Sequence, residues 1–263
     1  MNRIEKRMEE LQKNNEKAFI TYMTAGLPDM ERMKELIKAQ EEAGTDVVEL
    51  GIPFSDPTAD GPVIQDASYR SICRGTNLKK VFTAVEELRK DCEIPLIFMM
   101  YYNTILYYGV DAFAQKCAEV GVDGLIVPDL PKEEQDELTD ALADVKNAPI
   151  LIQLVAPVSC NRVPMILENA RGYVYCVSSM GVTGQAATFH KNVRNYLESV
   201  KAVSKIPVMM GFGIRTAADV ENLKDTIDGC IVGTYFIELM EENDYNLDVA
   251  KEYIRTFKRE LNA

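Results

Sequence analysis

Eight short apolar runs recur along the 263-residue chain at intervals of about 30 residues, the length of one strand–helix unit. In order, the runs are 18–24, 46–52, 95–101, 124–128, 149–155, 173–178, 207–213 and 229–235. Their nearly continuous hydrophobicity is typical of parallel strands that are buried on both faces. The repeat therefore predicts a parallel sheet in which helices cover the strands.

The segments between these runs have helical spacing, as at 33–44, 78–91, 111–121, 132–145 and 216–225. Eight strand–helix units favour an α/β fold, a closed (β/α)8 TIM barrel formed by residues 1–263 as a single domain. A doubly wound open sheet is the alternative, although no G-x-G-x-x-G motif follows the first run. Ile4, Met8 and Leu11 share one helical stripe, which predicts an extra N-terminal helix on the outside or the bottom of the barrel.

Two intervals are longer than the others and predict long loops after strands 2 and 6. The first, 51–77, is rich in Pro, Gly and Asp, and we expect an ordered loop followed by an extra helix. The second, 178–192, is small and polar, as in a lid. Both loops leave the C-terminal ends of their strands, where the active sites of barrels are built.

Composition excludes several classes of function. The net charge of −12 argues against nucleic acid and anionic membranes as partners, and a single histidine cannot form a multi-histidine zinc site. The N-terminus has no apolar core of signal-peptide length, and no run approaches the roughly 18 residues of a membrane span, so we expect a cytoplasmic protein. The six cysteines are scattered, without a C-x-x-C pair, and we expect them to serve in packing.

Glu49 stands among apolar neighbours near the end of the second run. A carboxyl group in such surroundings has a raised pKa and suits general acid/base chemistry, whereas the alternative interpretation is a surface charge at a strand end. Asp56 and Asp60 follow in the Pro-rich loop, where aspartate often serves as a turn residue. Spacing alone therefore makes Glu49 and Asp60 a candidate pair without deciding their role.

Glycines lie at or just after the ends of the last three runs: Gly181 and Gly184, then Gly211 and Gly213, then Gly233 beside Thr234. Barrels bind phosphate on backbone amides of the last βα loops, where glycine permits close approach. Arg215 is the one basic residue beside these turns, so a phosphate would be held mainly by amides. The alternative is that these glycines merely end strands.

Five motifs together resemble one known family. They are ELGIPFSDPTADGPVIQ at 49–65, PDLPKEE at 128–134, SSMGVTG at 178–184, GFGI at 211–214 and VGT at 232–234. In this order they closely resemble the tryptophan synthase α-subunits, from about residue 3 to the end. Such subunits are (β/α)8 barrels and lyases of tryptophan biosynthesis that cleave indole-3-glycerol phosphate to indole and glyceraldehyde 3-phosphate.

The resemblance also implies the cofactors and partners. The family uses no metal or organic cofactor in this subunit and passes indole to a β-subunit that carries pyridoxal phosphate, in an α2β2 heterotetramer. A free-standing indole-3-glycerol phosphate lyase, or a subunit that chiefly binds and activates a partner, are the alternatives. A Schiff-base aldolase needs a strand-end lysine, and none of the eight runs ends in Lys.

Site residues follow from the resemblance position by position. It implies Glu49 as the catalytic acid/base and Asp60 as the second catalytic carboxylate. It implies phosphate binding by the amides of Gly184, Gly213, Gly233 and Thr234, substrate contacts for the rings of Tyr22, Tyr101 and Tyr175, and a lid role for Thr183. Thr234, Thr21, Leu27 and Thr58 depart from residues common in the family, and for the last three we expect altered pocket or interface detail with the activity retained.

Overall fold

The computed structural model describes residues 2–159, 161–177, 186–211 and 213–263, with residues 186–192 described by their backbone alone. Within these ranges one parallel sheet contains nine strands. They are β1 (Ala18–Thr24), β2 (Val47–Gly51), β3 (Leu96–Met99), β4 (Gly124–Ile126), β5 (Ile150–Leu151), β6 (Gln153–Val155), β7 (Val174–Val177), β8 (Val208–Gly211) and β9 (Gly229–Val232). The strands thus lie within the eight predicted runs, and the fifth run contributes two of them.

The sheet closes on itself through the segment 150–155. Its strand order is β5-β4-β3-β2-β1-β9-β8-β7-β6, so the two ends of the sheet are strands separated only by Ile152. The first half of this segment pairs with β4 and the second half pairs with β7. The segment is therefore one strand position with two neighbours, and the closed (β/α)8 barrel is confirmed over the open sheet.

Helices surround the sheet. They are α1 (Arg3–Asn14), α2 (Met30–Ala43), α3 (Pro62–Cys73), α4 (Leu78–Leu88), α5 (Tyr102–Tyr108), α6 (Val110–Val120), α7 (Asp136–Ala143), α8 (Val163–Leu167), α9 (Ala186–Val203), α10 (Thr234–Glu242) and α11 (Leu247–Leu261). Short 3₁₀ helices lie at Lys132–Glu134, Pro157–Ser159 and Ala217–Leu223. The predicted helix at 216–225 is thus a 3₁₀ helix, and 132–145 is divided between a 3₁₀ helix and α7. Among the described residues, no helix is long and apolar enough to span a membrane.

The N-terminal helix closes the bottom of the barrel. Ile4, Met8 and Leu11 of α1 belong to the same buried cluster as the inward side chains of the strands. The members of that cluster in the strands or directly beside them are Ala18, Ile20, Val47, Ile97, Ile126, Ile150, Ile152, Tyr173, Met209 and Ile231. A separate cluster fills the space between the strands and the outer helices. The core therefore has two layers, and α1 seals the inner layer at the end opposite the βα loops.

Three aspartates strengthen the same end of the barrel. Each stands immediately before a strand, and its carboxylate accepts a hydrogen bond from a backbone N–H near the start of a neighbouring strand. Asp46 accepts from Phe19 at 2.6 Å, Asp123 from Leu96 at 3.0 Å and Asp228 from Val208 at 2.7 Å. Asp46 also pairs with Arg7 of α1 at 2.7 Å and with Lys258 of α11. Its buried charge is thereby satisfied, as buried charges require.

The cysteines divide by exposure. Cys92, Cys117, Cys176 and Cys230 are buried, which confirms the packing role for these four, whereas Cys73 is exposed. Burial raises the pKa of the Cys92, Cys176 and Cys230 thiols to about 12, so each is a neutral thiol. Cys160 lies outside the described residues.

We expect Asp46→Ala to lower the free energy of unfolding by about 3–5 kcal/mol, because it leaves Lys258 and a buried N–H without their partner and removes one of the two carboxylates that Arg7 contacts. Asp91→Ala, which removes an exposed ion pair with Lys38, is the matched control and should cost at most about 1 kcal/mol. Urea unfolding followed by circular dichroism measures both values. Equal losses in the two variants would show that the Asp46 network does not support the barrel.

Candidate active site

Glu49 points into the barrel. In register it pairs with Tyr22 of β1 on one side and with Ile97 of β3 on the other. Side chains alternate along a strand, and Val47 belongs to the inner cluster, so Glu49, two positions later, faces the same way. Glu49 is therefore the inward side chain of β2 nearest the C-terminal mouth, apart from the side-chain-free Gly51.

The carboxyl group of Glu49 is fully buried. The hydroxyl of Tyr173 donates a 2.7 Å hydrogen bond to Oε1, whereas Oε2 has no hydrogen-bond partner among the described residues. Burial raises the pKa of Glu49 to about 8, and the Tyr173 hydrogen bond opposes this only in part. Glu49 is thus mainly a neutral acid at pH 7, with one oxygen fixed and the other available.

Two tyrosine rings cross the mouth of the barrel over glycines. A Cβ atom on Gly51 would lie 2.0 Å from the Tyr22 hydroxyl oxygen, and one on Gly211 would lie 2.5 Å from the ring of Tyr175. Only glycine leaves room for these rings. Burial, and then the charge of Glu49 among others, raises the pKa of Tyr175, so the two groups lie close enough to interact.

Asp60 is held by Tyr101. The Tyr101 hydroxyl donates to Asp60 Oδ2 at 2.9 Å and accepts from the backbone N–H of Ala59, also at 2.9 Å. Because Ala59 can only donate, the hydroxyl proton must point to Asp60. The ring of Phe54 stacks on Tyr101 with centroids 5.1 Å apart. Tyr101 therefore fixes the loop after β2 at three positions.

Partial burial raises the pKa of Asp60, and the hydrogen bond from Tyr101 works in the opposite direction. The Asp60 charge in turn contributes to a raised pKa of Tyr22, after burial of that ring. Glu49 and Asp60 thus both lie close to the rings of Tyr22 and Tyr175. Glu49 is enclosed by strands, while Asp60 belongs to a partly exposed loop.

The N-terminus of α10 opens beside this site. Its N-cap is Gly233, which lies next to Tyr22, and Thr234 is the first helical residue. Within the described part of the chain, no side chain caps this end, and its first turn holds no acidic residue. The amides of the first turn lack intrahelical partners, so they can bind an anion together with the helix dipole.

Gly213 lies on the preceding loop with a φ of +74°, a conformation that favours glycine. Arg215, the basic residue that the sequence places nearby, is already engaged. It pairs with Glu238 at 3.0 Å and lies over the ring of Tyr235. Amides are therefore the donors that this loop and α10 offer.

Eight of the ten predicted site residues fall within the described ranges. Thr183 and Gly184 lie outside them, as does most of the predicted lid after strand 6. Among the residues that the structure does describe, no three His, Cys, Asp or Glu side chains are grouped as a metal site.

Comparison with known proteins identifies the family. The model of the family described as "Tryptophan synthase alpha chain" matches residues 8–263. The tryptophan synthase alpha chain of Lachnospira eligens is 60% identical over 264 residues, which cover 100% of both chains. That of Alkaliphilus metalliredigens is 44% identical and covers 92% of this chain and 90% of its own.

The chain belongs to the tryptophan synthase alpha chain family. The chain in the crystal structure of tryptophan synthase subunit alpha from Legionella pneumophila is 36% identical in sequence to this chain. The two structures superpose with a TM-score of 0.89, over 99% of this chain and 98% of the other. The structure of Mycobacterium tuberculosis tryptophan synthase is 33% identical, has a TM-score of 0.89 and covers 100% of this chain and 99% of its own. The resemblance read from the five motifs is confirmed.

Besides Thr234 at the start of α10, the other three departures from residues common in the alpha chain family lie in different places. Thr21 is buried on the outer face of β1, where its hydroxyl donates to Gln40 of α2 at 2.5 Å, so it affects packing and lies away from the pocket. Leu27 is buried in a small cluster with Tyr22, at the wall of the site. Thr58 is exposed on the Asp60 loop.

Sequence reasoning missed Tyr173 as a member of the alpha chain's site. The signal was present in YVYCV, because Tyr173 and Tyr175 are two positions apart in the predicted strand run 173–178 and are therefore expected to share a face. The motifs likewise contain Gly51 and Gly211, but they do not show that these glycines make room for tyrosine rings. That role depends on contacts across the barrel, which strand spacing does not specify.

We expect Glu49→Gln to stabilise the protein increasingly as pH rises. In the unfolded chain Glu49 ionises near its ordinary pKa, whereas in the folded protein it stays protonated up to about pH 8. The parent therefore loses stability between these values by up to roughly 1.4 kcal/mol per pH unit, and the amide variant does not.

Urea unfolding at pH 5, 6, 7, 8 and 9 measures this difference, which should grow to about pH 8 and then level off. The matched control is Glu16→Gln at an exposed position, for which the difference should not depend on pH. A pH-independent difference for Glu49→Gln would contradict the raised pKa.

Proposed function

We propose that Glu49 and Asp60 catalyse, in this chain, the cleavage of indole-3-glycerol phosphate to indole and glyceraldehyde 3-phosphate. The observation that carries the proposal is the state of Glu49. It is a fully buried carboxyl group with a pKa of about 8, one oxygen held by Tyr173 and the other without a partner among the described residues. Such a group can both give and take a proton near neutral pH.

The reaction breaks the bond between indole C3 and the adjacent carbinol carbon. Neutral Glu49 donates its proton to C3, which converts the ring to an indolenine and leaves Glu49 as a carboxylate. The carboxylate then accepts the proton of the carbinol hydroxyl as the carbon–carbon bond breaks, and the bonding electrons return to the ring. Indole and the aldehyde result, and Glu49 recovers its proton.

Asp60 acts on the ring nitrogen. Positive charge develops there when C3 is protonated, and a carboxylate that accepts the ring N–H stabilises it. Tyr101 supports this role because it occupies one Asp60 oxygen and orients the carboxyl group. Two carboxyl groups in different surroundings thus take two different roles.

Backbone amides hold the other end of the substrate. The proposed donors are the amides of Thr234 and of the glycines at 213, 233 and 184, and the rings of Tyr22 and Tyr175 line the indole end. Thr183 has the proposed role of a lid residue over the Asp60 loop. The exposed N-terminus of α10, which no side chain of the described residues caps, supports the phosphate assignment.

The proposal includes the wider setting of the reaction. The whole chain works as one barrel in the cytoplasm, and it needs no organic cofactor of its own. Pyridoxal phosphate belongs to the β-subunit partner, to which indole passes in an α2β2 heterotetramer. The chemistry of this chain is proton transfer between carboxyl groups and substrate, which its own residues supply.

We expect Glu49→Gln to lower kcat for indole formation at least about 10²–10⁴-fold, because the amide cannot transfer the proton. Asp60→Asn should also lower kcat, while Asp56→Asn, an exposed carboxylate in the same loop, is the matched control and should keep the parent rate. Indole release from indole-3-glycerol phosphate by the isolated chain measures all three. Parental turnover by Glu49→Gln would overturn the assignment of the proton donor.

The β-subunit is proposed to dock on the end of the barrel that carries the site, through the loop from Pro53 to Asp60 and the lid. Exposed apolar side chains at that end support this docking face. Tyr107 is 94% exposed and Leu106 48% exposed on α5, which follows Tyr101 directly, and Val158 is 70% exposed after β6. Exposed aromatic and aliphatic groups of this kind commonly form the centres of protein interfaces.

We expect Tyr107→Ser to weaken binding of a tryptophan synthase β-subunit by about tenfold or more, and to leave indole release by the isolated chain unchanged. Tyr69→Ser, at a 67% exposed tyrosine on α3, is the control and should bind normally. Analytical ultracentrifugation and activation by the β-subunit measure the two effects. If the parent neither binds nor is activated, the free-standing lyase is the better assignment.

A further inference from the structure

Two neighbouring helices begin at the two ends of the proposed substrate site. The helix α3 starts at Pro62, two residues after Asp60, and α10 starts at Thr234, the proposed phosphate-binding residue. Both helices stay at the mouth end of the barrel. Ser71, near the end of α3, donates to the carbonyl of Ala25 just after β1, and Tyr245, after α10, accepts from Arg32 at the start of α2. The relative placement of α3 and α10 therefore sets the distance between the carboxylate of Asp60 and the phosphate-binding amides.

The two helices pack through a small apolar cluster close to the site. Ala67 of α3 and Ile237 of α10 are buried in it together with Tyr22 and Leu27 of the β1 end. The small side chain of Ala67 permits a close approach of the helices. Apolar packing alone gives little directional restraint, because it is roughly proportional to buried area.

A charged contact joins the helices further along. The Arg70 guanidinium donates to Glu241 of α10 and, through Nε, to Asp66 of its own helix at 2.6 Å. Arg70 stands eight residues after Pro62 and Glu241 seven residues after Thr234. At a helical rise of about 1.5 Å per residue, the contact lies about 10–12 Å along the helices from their starts.

The turn that follows α10 makes further contacts beside this ion pair. Tyr245, in the turn after α10, lies beside both Glu241 and Arg70 and has a positive φ of 53°. Its carbonyl oxygen accepts a 3.1 Å hydrogen bond from Arg32 of α2. The guanidinium of Arg70 thus joins α3 to the C-terminal end of α10, and the turn that follows α10 is also bound by Arg32 of α2.

We propose that the ion pair between Arg70 and Glu241 is a positioning contact that sets the distance between the Asp60 loop and the first-turn amides of α10. The inference rests on the proposed function, because it concerns a ligand that reaches both ends of the site. The affinity of a ligand that binds only one end of the site does not depend on this distance. The affinity and reaction rate of a ligand that spans both ends do depend on it. Small misplacements of catalytic groups reduce rates strongly.

The experiment compares the whole substrate with a fragment. Glu241→Gln and Arg70→Met each remove the ion pair but keep most of the side-chain volume. We expect each to lower kcat/KM for indole-3-glycerol phosphate about tenfold, with a change of less than about twofold in the inhibition constant of glycerol 3-phosphate. The double variant should lose no more than either single variant, because the two side chains act as a pair.

Arg70→Lys keeps the charge and should recover most of the lost kcat/KM. Lys251→Met, which breaks an ion pair between α11 and α2, is the matched control and should behave as the parent. Urea midpoints of all variants confirm that they are folded at the assay temperature. The readout is the difference between substrate and fragment, which a general loss of stability would not produce.

Three results would overturn the positioning role: unchanged kcat/KM in Glu241→Gln and Arg70→Met, equal losses for substrate and fragment, or additive losses in the double variant. The parent and Glu49→Gln are measured in the same assay. If the parent releases no indole, the proposed function fails. If the parent is active and the ion-pair variants match it, only the positioning role fails.

Discussion

Glu49 loses its contact with water because it occupies an inward position of a closed barrel. Burial disfavours the charged form, and the described residues around the carboxyl group offer it one hydrogen bond, from Tyr173. Tyr173 is itself a member of the apolar inner cluster, so the residue that orients the carboxyl group also helps to exclude water from it. Gly51 and Gly211 complete the enclosure, since their missing side chains admit the rings of Tyr22 and Tyr175. The acid/base character of Glu49 is thus a property of its surroundings in the barrel.

Buried carboxyl groups have opposite surroundings at the two ends of the barrel. At the α1 end, Asp46 meets two cations and a backbone N–H, so that its charge is compensated. At the mouth, Glu49 meets no cation among the described residues, and one of its oxygens lacks a partner. The first arrangement stabilises the fold, whereas the second leaves a group poised to react at a cost in stability. The same chemical group therefore supports the structure at one end and the proposed reaction at the other.

Much of this arrangement could be predicted from the pattern of apolar runs, because a parallel strand buried on both faces needs a continuous apolar sequence. Closure of the barrel was predicted correctly, although the split of the fifth strand around Ile152 was not, since it depends on pairing with different neighbours. The apolar stripe of α1 is compatible with a place on the outside or at the bottom of the barrel, because a stripe shows that a helix is covered without showing which residues cover it. Glu49 and Asp60 stood out through their motif. Tyr173 did not, because its role arises from a contact with a residue 124 positions away in the chain.

The two proposed catalytic carboxyl groups differ in how firmly they are supported, and this difference decides where a partner can act. Glu49 belongs to a central strand with neighbours on both sides, so a surface contact has no short route to it. Asp60 belongs to a partly exposed loop that Tyr101 holds through Phe54, Ala59 and Asp60 itself. The residue after Tyr101 begins α5, which carries the exposed Tyr107. A β-subunit docked on this face would therefore press on the segment that orients Asp60 and leave Glu49 in place. Control of the reaction by a partner would then be exercised through the position of Asp60, with the proton donor unchanged.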